Sequence, residues 1–580
     1  MASTRRNLRP ASWPWDRHSH RDDTAVPAVS DIMEQAKTES AATVEEVRPV
    51  LDRGLWTRDL CIVGLILAWG ASIACMATAI YIIASGALPI PPWLLNRQAH
   101  VGPVGLGWVS AEQPYMVDHR LYGVSEGAMI AIPLLLQIAI ASISLCLDSI
   151  HSTTLRWALW REGRLHHNTN IRLFTFARSS GPNAWPANIV SSLGLALAYS
   201  GASMATFPVT VIGVLERKGQ GRGSISLNTD IDPGPDRYGI SFNSWGLLGL
   251  GIGLLLQSTI CTWCLVHDAN KRIVGTWNSN PLATARACQA LLDRDSGSGS
   301  PGHRQNLTLS VSTPKQPSMR TLAPPTRTIT NWIWAVFAIQ SLFTIAVSIV
   351  AKTQDRATID IVRKYDDDVT FFSIWKFYGQ VVVIYNWNSK SRRLEWAGLL
   401  IQSAFLSILL FALHLADVLA GLARDEAIWR RAATTGASPD SNALLDGLRS
   451  WPTCVVFVFK AIVPWIFSFG VACITRLFLT ISPLLTVAVL FLILACCAEW
   501  IIRAQPRGPQ PSTYGDVRAL AMLIDDWGDE GDGTIFWGEK GLYEWVEGVP
   551  VRLAGTAGRR LADLQPGLMY AGLSGEAEIS

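Results

Sequence analysis

Eight stretches of the chain, 60–85, 127–147, 187–215, 244–266, 330–351, 396–423, 452–474 and 477–502, stay apolar for about twenty residues or more, the length a helix needs to cross a hydrocarbon core of about 30 Å. The remainder agrees with them. Of 580 residues, 49% are hydrophobic and only 16% charged, too apolar and too charge-poor for an ordinary soluble protein. The expected fold is an all-α polytopic membrane protein of about eight transmembrane helices. Only Thr475 and Arg476 separate the last two runs, so that boundary is the least defined.

Residues 1–58 are polar, rich in Arg, Ser and Asp, and too long for a cleavable leader, which predicts a disordered cytosolic arm. Helices one to four occupy 59–294, a Ser/Pro/Gly-rich disordered linker 295–329, helices five to eight 330–502, and a cytosolic tail 503–580. Orientation follows from loop charge. The 148–186 loop holds five arginines against two in 86–126, which sets both termini in the cytosol of a plasma-membrane or endomembrane protein. The 352–395 loop runs against this rule: it is assigned outside yet carries eight basic residues. Within it, "VTFFSIWKFYGQVVVIYNW" suits a strand pair or an interfacial segment. A net charge of +3, with its basic residues scattered, argues against nucleic acid as a partner and leaves the lipid bilayer.

Two stretches resemble one another, "LLQIAIASISLCLD" from Leu135 and "LLQSTICTWCLVHD" from Leu255, with Gln137, Asp148 and Trp157 spaced as Gln257, Asp268 and Trp277. The preceding helices share Gly70, Ala71 and Ser72 with Gly201, Ala202 and Ser203. Repeated two-helix hairpins would explain this; so would chance agreement among residues common in all membrane helices.

Each even-numbered helix ends near a carboxylate, Asp148, Asp268, Asp417 or Glu499, where the negative pole of the helix dipole calls for a compensating cation. Lys271 and Arg272 follow Asp268, and Arg503 follows Glu499, at spacings that share a helix face. Interfacial ion pairs are the plainer reading of these acids. Helix six puts His414, Asp417, Gly421 and Arg424 on one stripe, and Lys460 lies inside the seventh run. Ionisable groups at such depth are expensive and face a bundle interior or a wet cavity. His414 and Asp417 thus suggest either a buried hydrogen bond that locks helix six to its neighbours or a proton or cation relay. Lys460 either snorkels to the surface or pairs with one of the acids.

No HExxH, GxSxG, Walker loop or strand-borne GxGxxG occurs, so neither an enzyme nor a cofactor is expected. Adjacent His166 and His167 lack the spacing of a helix-borne metal site. Cys261 and Cys264 form a CxxC inside an apolar run and read as helix packing, and with only Cys288 clearly outside the runs no disulfide framework is implied. The sequon at Asn306 falls in the cytosolic linker and should go unused. "GDEGDGTIFWGE", 528–539, approaches an EF-hand calcium loop, but Gly528 fills its first ligand position, and Gly538 and Gly541 interrupt the exit helix. A small α+β tail is expected instead: helix 514–527 packed on strands from "TIFWG", "VRLAG" and "LMYAG", with 525–532 a solvated acidic turn.

Four blocks resemble those of a family of fungal multi-pass membrane proteins of unassigned function: "TTLRWALWREGRLHHNTNIRLFTFARSSGPNAWPANIV" from Thr153, "TWNSNPLATA" from Thr276, "LHLADVLAGLARDEAIWRRA" from Leu413, and "RGPQPSTYGDVRALAMLIDDW" with "FWGEKG" in the tail. In that family the helix-six block has a His, an acid three residues later, then Arg-Asp-Glu and Trp. His414, Asp417, Arg424, Asp425, Glu426 and Trp429 match it. The resemblance implies an architecture and brings no catalytic residue, ligand or partner. The favoured function is a non-catalytic membrane scaffold or sensor, in which Trp157, Trp160 and Phe174 of the basic 148–186 loop would lie on an anionic membrane surface. The alternative is a transporter or channel-like protein using His414, Asp417 and Lys460.

Overall fold

The computed structural model describes residues 55–85, 119–123, 126–165, 174–210, 238–295, 309–353, 381–386, 395–441, 443–473, 476–528, 533–546 and 549–573. Residues 1–54 of the N-terminal arm, the His166 and His167 pair and the Asn306 sequon lie outside them, while residues 55–58 of the arm already belong to the first helix.

In chain order the first half holds α1 (Leu55–Ser85), β1 (His119–Gly123), α2 (Glu126–Arg161), α3 (Trp185–Ala205), β2 (Thr206–Thr210), β3 (Tyr238–Asn243) and α4 (Ser244–Lys271). After α5 (Pro281–Asp295) and β4 (Leu309–Val311), the second half holds α6 (Pro325–Thr353), β5 (Val381–Asn386), α7 (Glu395–Arg431), α8 (Ala443–Arg449), α9 (Trp451–Gly470), β6 (Val471–Cys473), β7 (Arg476–Thr480) and α10 (Ile481–Arg503). The tail adds α11 (Val517–Leu523), β8 (Phe536–Val546), β9 (Val549–Ala557) and β10 (Met569–Ala571). Among the described residues seven helices, α1, α2, α4, α6, α7, α9 and α10, are long and apolar enough to cross a membrane. Helices are the natural answer in lipid, which offers nothing to unsatisfied peptide groups.

The apolar run at 187–215 does not form one long span. Its helix, α3, stops at Ala205, and Thr206–Thr210 continue as strand β2. Thr206, Val209 and Thr210 are β-branched and Pro208 has no N–H to continue a helical ladder, so the chain extends here. The run at 452–474 likewise ends as helix at Gly470; Val471–Cys473 and Arg476–Thr480 pair as strands β6 and β7, and Thr475 lies outside the described residues. In the 352–395 loop Val381–Asn386 does form a strand, but it pairs with β7 rather than within its own segment.

Two like halves result. Each runs helix, strand, helix, helix, strand, strand, helix, the second with the short α8 added before its third long helix, and each forms an antiparallel three-stranded sheet with its last strand in the middle, β1-β3-β2 and β5-β7-β6. Within each half the fourth helix packs on the other three: α4 on α1, α2 and α3, and α10 on α6, α7 and α9. Between halves, α3 packs on α7, α2 on α9, and α3 on α9, contacts that a two-fold exchange would leave unchanged, while α4 also touches α7 outside that pattern. The like order of elements relates four-helix halves. Sequence traces of it are Ala158-Leu159-Trp160-Arg161 against Ala427-Ile428-Trp429-Arg430, and Trp185-Pro186 against Trp451-Pro452 at the start of α3 and α9.

Close approach holds α3 to α4. A Cβ on Gly201 would lie 2.2 Å from the Leu250 backbone nitrogen and one on Gly253 2.4 Å from that of Ala198, so only glycine allows these two backbones to touch. Helices α2 and α7, of 36 and 37 residues, reach about 55 Å at 1.5 Å per residue and overrun a core of about 30 Å. At the end away from the two small sheets, their last turns enter a polar platform with α5, α8, α11 and the sheet β4-β10-β9-β8.

This platform revises two expectations. Part of the predicted linker is ordered: Leu309–Val311 pairs with β10, and Ser312 donates its N–H to Leu568. In the tail β8 and β9 are antiparallel and β10 is parallel to β9, and the helix covers only Val517–Leu523. Asp525, assigned to a solvated turn, instead accepts the Thr556 N–H at 2.7 Å and meets Lys540 Nζ at 2.8 Å. Glu539, the last ligand position of the calcium-loop pattern, is engaged by Arg552 at 2.6 Å and by the Tyr570 hydroxyl at 2.7 Å.

Candidate functional site: a seam and a platform shared by both halves

Of the intramembrane residues, the structure joins Asp417 of α7 to Lys460 of α9, with Oδ2 and Nζ 2.9 Å apart. The lysine pairs with an acid rather than snorkelling away. Lys460 is the more enclosed partner, its side chain 13% exposed against 33% for Asp417. His414 lies one turn earlier on α7, half-buried. The buried Tyr199 of α3 stands within electrostatic reach of both Asp148 and Asp417, so the carboxylates of α2 and α7 approach one seam between the halves. Nearby, Gln137 donates to Ser203 at 2.9 Å, and Ser203 donates to the Pro464 carbonyl at 3.3 Å, linking α2, α3 and α9.

The other sequence candidates separate from this seam. Arg424 lies beyond it and pairs with Asp425 at 3.2 Å. Asp268 does not use Lys271 or Arg272, both of which are exposed; its carboxylate accepts the Val274 N–H at 2.8 Å, because the helix ends there on Arg272 in a left-handed conformation. Glu499 keeps the expected Arg503 and gains Arg320 at 3.0 Å. Trp157 leaves the membrane surface altogether. It is 1% exposed and donates to the Thr276 carbonyl at 3.0 Å, since α2 continues straight into the platform interior, whereas Phe174 is exposed.

The platform is where the four sequence blocks converge. Arg156, 8% exposed, reaches Thr284 at 3.5 Å and stands within electrostatic reach of Asp425 from the opposite half. Asn280 caps α5 by accepting the Leu282 N–H at 2.9 Å, and its amide donates to the Ser438 carbonyl and the Ser441 hydroxyl. Asn278 reaches the Pro439 carbonyl at 3.2 Å. On α7, Glu426 is 5% exposed and accepts from Arg430 Nε at 2.8 Å, Thr513 N at 2.9 Å and Tyr514 N at 3.1 Å. Trp429 donates to the Pro511 carbonyl at 2.8 Å and meets the Trp537 ring edge-on at 5.5 Å. Helices α5 and α11 pack together, and Trp527 donates to Gln289 at 2.8 Å.

Around this centre, burial pushes the Cys288 thiol up to about 12. Burial also acts to raise the Glu162 carboxyl, but hydrogen bonds from Ser179, Arg164 and the Arg178 N–H outweigh it and hold the group below its ordinary range. Sequence reasoning passed over Arg156, Asn278, Asn280 and Glu426 as functional candidates. Their only signal was membership of the four blocks. No protein-family model, no curated protein and no solved structure matches this chain.

Proposed function

We propose that the protein is a non-catalytic membrane scaffold or sensor that presents its platform to the cytosol, with both chain ends on that side. The observation that carries this reading is the buried polar stitching between halves. Asn278 and Asn280 from one half bond the 438–441 segment of the other, and Arg156 faces Asp425. Each buried polar group left without its partner costs about 1–3 kcal/mol. Rocking the halves apart at this end would break several at once, so a rigid platform suits the geometry better than alternating access.

The second reading, a transporter or channel-like protein, draws on the Asp417 and Lys460 pair at the seam between like halves, the position where repeat-built transporters hold their sites. Reconstitution into proteoliposomes separates the two. Scaffold function predicts proton and monovalent-cation flux no higher than in protein-free vesicles under an imposed gradient. Flux abolished by Asp417→Asn in a stably folded protein would overturn it.

A further inference from the structure

We propose that the platform-side ends of α8, α9 and α10 form a binding site for one anionic phospholipid of the adjoining leaflet. Arg449 and Arg503 would take the phosphate, Trp451 and Trp500 the glycerol level, and the outer faces of α9 and α10 the acyl chains. The inference holds whether the protein is a scaffold or a transporter.

The depth of this region is set by tryptophan. Among the described residues the tryptophans exposed by more than a third, Trp56, Trp185, Trp263, Trp332, Trp451 and Trp500, all lie in the platform-side third of their helices. Amphipathic indoles collect at the headgroup level of a bilayer, so this belt marks the membrane boundary there. At one point on it Trp451 and Trp500 meet at a tilt of 51° with ring centroids 5.5 Å apart, while keeping 46% and 62% exposure.

Helix α8 is held against this pair in a fixed orientation. Its Asp446 is buried and bonds Arg431 at 2.6 Å as well as the Ser441 hydroxyl. With Asp446 turned inward, Leu445 and Leu448 face outward at 49% and 71% exposure. Facing water, such leucines beside two open indoles would be a costly apolar patch; facing the acyl boundary they anchor.

Charge then selects the lipid. Arg449 and Arg503 are exposed two residues before Trp451 and three after Trp500. Arg320 joins Arg503 on Glu499, so two cations share one carboxylate, and with the exposed Arg449 the charges at the headgroup level leave an excess of two positive. A phosphatidylserine headgroup, with its phosphate, carboxylate and ammonium, brings one net negative charge to offset that excess, whereas a zwitterionic headgroup brings none. Below the indoles the outward side chains of α10, Cys496, Ile493 and Leu492, and Val458 of α9 are apolar and exposed, a track for acyl chains that a soluble phosphate would leave unused.

The test uses the full-length protein in detergent, with thermal unfolding followed on adding phosphatidylserine, phosphatidylcholine or inorganic phosphate. Phosphatidylserine should raise the midpoint by at least about twice the phosphatidylcholine shift, since basic residues at the headgroup level favour an anionic lipid, and phosphate should not raise it. Arg449→Gln with Arg503→Gln should reduce the phosphatidylserine shift to the phosphatidylcholine level. Arg503 also pairs with Glu499, so exposed Arg449→Gln alone, read by quenching of tryptophan emission with brominated phosphatidylserine, gives a second measurement. It should weaken the quenching that Trp451→Phe with Trp500→Phe removes. Equal shifts for both lipids, a shift with phosphate alone, or quenching unchanged by Arg449→Gln would overturn the proposal.

Discussion

Replacing Glu426 with Ala tests whether the tail is fastened to α7 as the geometry requires. The carboxylate is 5% exposed and receives three donors, Arg430 Nε and the N–H groups of Thr513 and Tyr514, all within 3.1 Å. Its loss strands two backbone donors on residues only 3% and 4% exposed. Tyr514 also has φ of 44°, a left-handed conformation that a bulky residue keeps only when its surroundings hold it there. Removing one partner of a buried charge pair costs about 3–5 kcal/mol. Arg430 retains 18% side-chain exposure and recovers some hydration, so the lower end, about 3 kcal/mol, is expected. At 1.4 kcal/mol per factor of ten, the population with a detached tail rises about a hundredfold. Limited trypsin digestion of the intact protein, under conditions where opening is faster than cleavage, reports that population directly. Cleavage after Arg507 or Arg518 should accelerate by about two orders of magnitude in Glu426→Ala and by about one in Glu426→Gln, which keeps one acceptor oxygen. Rates within about threefold of the parent in Glu426→Ala would refute the reasoning, because that corresponds to less than about 1 kcal/mol.

Asp417→Ala or Lys460→Ala alone should lower thermal stability in detergent, while the double replacement Asp417→Leu with Lys460→Met should recover most of the loss; additive losses would show that the two side chains are uncoupled. The Cys288 thiol, pushed up to about 12 by burial, should resist maleimide at pH 7 until the protein unfolds, and rapid labelling of the folded protein would contradict its placement. Glu162 has a folded-state value below the ordinary carboxylate, so its contribution is present above the unfolded Glu value of about 4.3 and fades as pH falls through the lower folded value. Protection of the Arg178 and Ser179 amides, taken as exchange relative to the unfolded-chain rate at each pH, should fall over that acidic interval, and Glu162→Gln should abolish that change in protection.

Membrane character was plainly legible in the sequence, because about twenty apolar residues in a row have few other uses. The helix ends were not. Hydropathy carried the third run to 215, yet Pro208 and its β-branched neighbours turn it into a strand whose partner, β3, lies about thirty residues away in sequence, beyond any local signal. Of the intramembrane candidates, the Asp417 and Lys460 pairing was anticipated in kind, since a lysine at that depth needs an acid. Asp268 went the other way: its nearest cations sit on a turn that leaves the helix, and a backbone N–H is closer. Trp157 reads as a surface aromatic in a basic loop, but α2 runs past the membrane, and the same residues become interior ones. Loop and helix extension look alike in a hydropathy scan.

The like halves also explain why the platform is polar at its centre. Asp148 and Asp417 each precede the matching Ala-Leu/Ile-Trp-Arg segments by ten residues, and in that register Arg156 of α2 corresponds to Asp425 of α7. Matching positions near an axis of exchange approach each other; Arg156 and Asp425 do stand within electrostatic reach. Two identical halves would set like charges face to face there, which burial makes severe. A single chain carrying both halves escapes that constraint, since each copy of the position can take its own residue. Here one became a cation and the other an anion, with Asp425 only 3% exposed and Arg156 8%. The same freedom is visible in the seam, where Lys460 of α9 has glycine, Gly194, at the matching place in α3 when the two Trp-Pro starts are superposed. Position 460 is thus occupied by a cation that holds Asp417, while position 194 gives up its side chain for the close approach of α3 to Gly253 of α4. The two halves share an order of elements and divide the chemistry: at the platform Arg156 and Asp425 face each other across the halves, whereas at the seam Lys460 holds Asp417 within the second half.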